Sequence, residues 1–205
     1  NRLPRRRLGS AEGRAALYHA VAHIEYNAIH LGLDAVYRFR GLPEGYYDDW
    51  MRVADDEARH YTMLAERLAE LGYRYGDFPA HNGLWEMAEE TAHDVMIRMA
   101  LVPRVLEARG LDVTPGMIER LREAGDGAGV AILERILAEE VPHVAIGSHW
   151  FRHFCDRRGL APESTFRALV SDYMRGRLKG PFNVDARLAA GFSEAELRAL
   201  EALAP

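Results

Sequence analysis

The sequence predicts an all-α protein, a four-helix bundle of two antiparallel helix pairs joined by one long crossover, with additional helices at its C-terminal end. Three observations predict it. Gly and Pro cut the chain into long stretches of helical periodicity, and no segment sustains the period-2 alternation that strands need. A short link between the first two stretches is then followed by a much longer one. At 205 residues the chain can bury a sizeable core as one domain. The bundle is expected over about residues 10–158, with supporting helices over about 159–205.

Ser10 is the expected N-cap of a first helix running to about Arg38, where Gly41-Leu42-Pro43 breaks it. A second helix is predicted from about Tyr46 to Leu71, ended by Gly72. The polar stretch from Gly72 to Gly83 leads to a third helix from about Leu84 to Arg109, with Pro103 as an internal kink and Gly110 as its stop. Thr114-Pro115 opens a short helix through about Ala124, and Gly125 to Gly129 precedes a long helix ending near Arg158. The remainder reads as a helix from Pro162 to Arg177, the irregular Lys179-Gly180-Pro181-Phe182-Asn183, and a last helix with Ser193 and Glu196 as its capping box. The short first link makes helices one and two antiparallel neighbours. The Gly72–Gly83 stretch can extend to roughly 40 Å at about 3.3 Å per residue, enough to run the length of a helix.

Hydrophobic residues at 48% and charged residues at 28% place the chain among ordinary globular proteins. No apolar run approaches the roughly 18 residues of a membrane-spanning helix, and no signal-type apolar stretch follows the basic start Arg2, Arg5, Arg6, Arg7. A soluble, cytoplasmic protein without a membrane anchor is expected. Because the first residue is Asn1 rather than Met, a longer chain upstream is expected too. Cys155 stands alone, so it reads as a packed helix residue. The net charge of -5 argues against DNA and, more mildly, against RNA, and Arg157, Arg158, Arg175, Arg177 and Lys179 read as solvated.

Glu-x-x-His places a carboxylate and an imidazole on one helix face, where both can reach one metal ion. The sequence has Glu57/His60, Glu90/His93 and Glu140/His143, of which chance would supply roughly one, so burial must arbitrate. Glu57 shares its face with Trp50, Val53, Ala54, Tyr61 and Leu64, and Glu140 shares its own with Leu133, Ile136, Leu137, Val144 and Gly147. Glu25 lies among Tyr18, Val21, Ala22, Ala28, Ile29 and Gly32. A carboxylate in such a stripe must be neutralised, paired or bound to a cation. Glu107, after Met99, Ala100, Pro103 and Leu106, is the less clear fourth.

Order sharpens the choice. Glu25 precedes Glu57 by 32 residues and Glu107 precedes Glu140 by 33, so the chain reads Glu…ExxH twice. Two such repeats on four helices can supply two metal ions with four carboxylates and two imidazoles. Glu25 and Glu57 each lie roughly 15 to 20 Å from their connecting turn, at about 1.5 Å per residue, and so meet at mid-bundle. Glu107 and Glu140 match likewise if the helix from Pro115 extends the third one. Glu90 lies about 25 Å of helix from Glu107 and does not fit the ring.

The plainer readings are ion pairs or solvated helix positions. Arg104 or Arg109 could hold Glu107 in an ordinary ion pair, and Glu90/His93 reads as solvated. His19, His23 and His30 recur along the first helix without an ExxH partner. His149 and His153 have a metal-pair spacing but no Glu on the next turns, and Tyr61 reads as packing.

The segments AHIEYNAIHLGLD, DDEARHYTML, LVPRVLEARGLDV, EEVPHVAIGSHWF and the tail GPFNVDARLAAGF together resemble the ferritin-like di-iron carboxylate superfamily. The resemblance is narrower to a family of uncharacterised bacterial ferritin-like proteins distantly related to tRNA-hydroxylating monooxygenases. It covers nearly the whole chain. It implies Glu25, Glu57, His60, Glu107, Glu140 and His143 as metal ligands, the same six that spacing selects. It also implies a di-iron or iron/manganese centre and supplies no substrate. Pro142, inside the last ExxH, is expected to bend or open its helix beside the metals.

Carboxylates with imidazoles suit iron and manganese and leave coordination positions for O2 or water, and the resemblance puts iron first, as Fe/Fe or Mn/Fe with Mn/Mn allowed. The leading expectation is an O2-activating oxidoreductase acting on a small molecule or RNA, with a homodimer allowed. Iron storage or detoxification, a manganese catalase, and a metal-free helical binding module remain its rivals.

Overall fold

The structure is a computed structural model that describes residues 7–174 and 178–204. The basic residues Arg2, Arg5, Arg6, Arg175 and Arg177 lie outside the described residues. The described part is helical without a strand, so the all-α class stands. The helices are α1 (Ala11–Arg38), α2 (Glu44–Glu70), α3 (Gly83–Glu90), α4 (Val95–Leu101), α5 (Ala108–Glu123), α6 (Gly127–Arg157), α7 (Pro162–Tyr173), α8 (Val184–Ala189) and α9 (Glu194–Leu203). A π-helical turn, Val102–Glu107, joins α4 to α5. No helix of the described residues is long and apolar enough to cross a membrane. Packing divides the chain into two compact units, residues 7–86 with Gly116–Ile136, and Met87–Pro115 with residues 137–204.

In the first unit α1 and α2 form the predicted pair. The Ser10 hydroxyl accepts from the Gly13 amide at 3.1 Å and starts α1 as expected. Gly72 ends α2 with φ at +80°, a conformation that costs glycine no Cβ clash, while the amides of Gly72 and Tyr73 return to the carbonyls of Ala69 and Leu68. The two helices approach closely at Gly32. A Cβ there would meet the Trp50 carbonyl oxygen at 3.1 Å and the Ala54 Cβ at 3.2 Å. Histidines of α1 pin the following crossover: His19 Nε2 accepts from the Gly76 amide, and His23 bonds the Tyr75 hydroxyl and the His81 carbonyl. Asp126, just before α6, accepts from Tyr18, Arg67 and the Gly129 amide, and ties the start of α6 to α1 and α2.

The second unit departs from expectation along its first stretch. The sequence predicts one helix from Leu84 to Arg109, but α3 ends at Glu90, and Asp94 starts α4 by accepting from the Met96 and Ile97 amides. Buried Arg98 closes the gap by donating to the Thr91 hydroxyl and the Ala88 carbonyl. Pro103, the expected kink, lies at the opening of the π-helical turn. Gly110 does not stop α5, and Thr114-Pro115 does not start a new helix, since α5 runs through both. A glycine costs a helix only about 1 kcal/mol against alanine, which tertiary contacts offset. Pro115 deprives the Leu111 carbonyl of its donor, and the Asn183 side chain takes its place at 3.1 Å.

α6 continues unbroken past the exposed Pro142, so the proline does not open the helix. It removes one backbone donor from the helix. In the same unit Gly147 of α6 lies against Pro103; a Cβ there would stand 2.5 Å from the proline ring. α7 ends at Tyr173 with Met174 as its cap, so its predicted extension falls on residues outside the described part. The Ser193/Glu196 capping box of α9 is present, and the short α8, capped by Asn183, adds to the expected set of helices.

Candidate metal centre

The first unit brings Glu25 of α1 together with Glu57 and His60 of α2. Regular 3.6-residue periodicity turns Glu57 and His60 to one face, three residues apart, and α1 delivers Glu25 opposite them. All three are buried. His60 Nδ1 lies 3.2 Å from Glu25 Oε2 and 3.4 Å from Glu57 Oε2. A ligand atom from each lies within 4.8 Å of the others, so the group could hold a metal ion.

Two carboxylates share one imidazole here, in surroundings of Trp50, Val53, Ala54 and Leu64, all buried. The Glu25 carboxyl is pushed well above the usual range, first by burial and then by the neighbouring Glu57 charge. Burial opposes the charged form of His60, yet its bonds to Glu25 and Glu57 prevail and raise it from 6.5 to about 10. Without a metal the group is therefore a proton trap. A divalent cation fits the same atoms, because it neutralises two carboxylates and accepts an imidazole nitrogen without borrowing protons.

The second unit carries the repeat of the motif on less regular backbone. His143 is buried and Glu140 half-buried, with His143 Nδ1 3.8 Å from Glu140 Oε1. Glu107, the last residue of the π-helical turn, is buried too. Both arginines that the sequence offers to Glu107 hold other partners. Arg104 donates to Glu196 and Ser148, whereas Arg109 reaches Asp112 and the Pro181 carbonyl.

The remaining candidates resolve into packing. Glu90 and His93 are exposed. His149 is exposed as well, and His153 packs edge-on against Trp150 and Phe154. Tyr61 packs against Tyr26 and Tyr75, with ring centres 5.6 and 5.5 Å away. Cys155 is buried, which pushes its thiol up to about 11 and leaves it a core residue. Sequence reasoning missed the buried ion pairs Arg104–Glu196 and Arg187–Asp112.

Residues 1–198 match the family described as "Protein of unknown function (DUF455)", and the chain belongs to that family. It is 50% identical over 202 residues to an uncharacterized protein of Haemophilus influenzae, across 95% of this chain and 70% of that protein. No solved structure matches it.

Proposed function

We propose that this chain is a non-haem di-iron carboxylate protein of ferritin-like fold, an O2-activating oxidoreductase of the cytoplasm. The buried Glu25–Glu57–His60 group carries the reading, because two sealed carboxylates with one imidazole match the needs of a divalent ion. The second Glu…ExxH repeat, Glu107 with Glu140 and His143, completes a two-ion centre in a single domain. Glu57 and Glu140 would be shared between the two ions, Glu25 and Glu107 would each serve one, and each histidine would complete one. Four ionised carboxylates then balance the four positive charges of two divalent ions. When bound, iron, or iron with manganese, supplies one-electron steps and an open position for O2. The chain's own part is to hold the ions, keep the carboxylates ionised and exclude water with Trp50, Val53 and Leu64. The substrate class we propose is a small molecule or RNA.

The test is metal analysis of protein purified without added metal, followed by stopped-flow mixing of anaerobic ferrous protein with oxygenated buffer. Two ions per chain and ferric absorption appearing faster than for free ferrous ion are expected. Metal-free protein that takes up no ferrous ion would sink the reading.

A further inference from the structure

A π-helical turn replaces the usual i+4 donors by i+5 ones, a less regular pattern that side chains can brace. Here the C-terminal tail bonds one carbonyl of the turn and two of the helix that follows it. Arg187 Nη1 lies 3.5 Å from the Arg104 carbonyl, and Nη2 lies 3.3 Å from that of Ala108. The same guanidinium grips Asp112 with two bonds of 2.9 and 2.8 Å and is 2% exposed. Asn183 serves the Leu111 carbonyl and takes Asp112 Oδ1 through its own amide at 2.8 Å.

The turn also reaches back. Arg104, fully buried, donates to Glu196 Oε2 at 2.8 Å, the oxygen that also accepts from the Ser193 amide at 2.9 Å. Its guanidinium lies among the rings of Phe151, Phe166 and Phe192, at 4.8, 4.2 and 4.4 Å. Residues 183–196 thus grip residues 104–112 on both sides of Glu107. The extra residue of a π turn rotates the downstream side chains by about 100° relative to a regular helix, so this grip sets where the Glu107 carboxylate points.

We infer that Arg187 and Asn183 are positioning residues for Glu107, and that the C-terminal tail thereby governs occupancy of the ion that Glu107 holds. This rests on the two-ion reading above. The tail acts by keeping one backbone register, the π-helical one, in place of the α-helical one that the sequence around Glu107 could also adopt.

The experiment compares the full chain with Arg187→Lys, which keeps the charge but loses the bidentate fork, and with Asn183→Ala, a milder change. Each is titrated with ferrous ion under anaerobic conditions, and amide hydrogen exchange of the metal-free proteins is followed in parallel. Both variants should fold, judged by unchanged exchange in α1 and α2. Exchange over residues 104–112 should quicken at least tenfold in Arg187→Lys. That variant should bind one ion per chain as tightly as wild type and the second at least tenfold more weakly, with Asn183→Ala intermediate. Two ions with wild-type affinity in a folded Arg187→Lys protein would overturn the inference and leave the two-ion centre standing. Wild-type protein that binds no iron overturns the centre, and this inference with it. Loss of α1 and α2 protection in both variants also overturns it, since the tail would then act on the whole fold rather than on Glu107.

Discussion

The two repeats of Glu…ExxH sit on backbone of different kinds. Glu25, Glu57 and His60 stand on long regular helices that approach closely at Gly32, and the three are buried together. Glu107 stands on a π-helical turn, Glu140 and His143 flank a proline, and a tail drawn from the far end of the sequence braces the turn. Helical periodicity alone can bring two carboxylates and an imidazole together. The stretch that carries Glu107 takes an irregular register instead, braced by residues far along the chain.

The largest test of this contrast removes a carboxylate from each half. Glu57→Ala and Glu140→Ala should each abolish both ions, from two per chain to none, because a shared ligand cannot be lost by one ion alone. Exposed Glu90→Ala should leave the count unchanged. Metal content per chain decides, and retention of two ions in both bridging variants would remove these residues from the centre.

A smaller effect distinguishes the first half by its protons. The folded-state value of His60, about 10, lies above its ordinary 6.5, so this group's stabilisation is complete below about pH 6.5 and lost as pH rises through about 10. Glu25, also raised, acts in the same direction, because burial and Glu57 favour its protonated form in the folded chain. Metal-free protein should therefore lose stability between about pH 6.5 and 10. Metal-loaded protein should instead lose its ions on the acid side, where protons compete for every ligand. Urea midpoints across this range, with and without ferrous ion, provide the check. A fall that survives unchanged in His60→Gln would place its source elsewhere.

Legibility in the sequence divides along the same contrast. The spans of α1, α2 and α6, the Ser10 and Ser193 caps, and the meeting of Glu25 with Glu57 and His60 rest on local signals, namely a period, a cap or a breaker. The stretch from Leu84 to Ala124 is legible as helix but not in its breaks. Its real boundaries depend on Arg98 folding back onto Ala88 and on Asn183 replacing the donor that Pro115 lacks. Arg187 and Asp112 are 75 residues apart, and such a pair leaves no periodic trace. The sequence expects Pro142 to bend or open its helix, yet α6 runs on through Pro142, and it is at Pro103 that a helix gives way to a π-helical turn.

The smallest effect separates the two regions by their caps. Ser10→Ala and Ser193→Ala each remove a hydroxyl that accepts from a backbone amide, a loss of about 1 kcal/mol for an ordinary cap. In a chain of this size that corresponds to a fall in Tm of about 2–4 °C. Ser10 caps a regular helix, and its variant should show that fall and nothing more. The Ser193 hydroxyl also donates to Glu163 at 2.6 Å, and its box partner Glu196 is the carboxylate that holds buried Arg104. Loosening the box frees Glu196 to move and weakens a charged pair with no water to replace it, so Ser193→Ala should cost about twice as much as Ser10→Ala. Double-mutant cycles with Glu196→Gln should then show coupling of at least about 0.5 kcal/mol for Ser193 and none for Ser10, in line with the distance dependence of additivity. Equal shifts and no coupling would mean that the cap and the Arg104 pair act independently, and that the second region is braced less cooperatively than its shared oxygen implies.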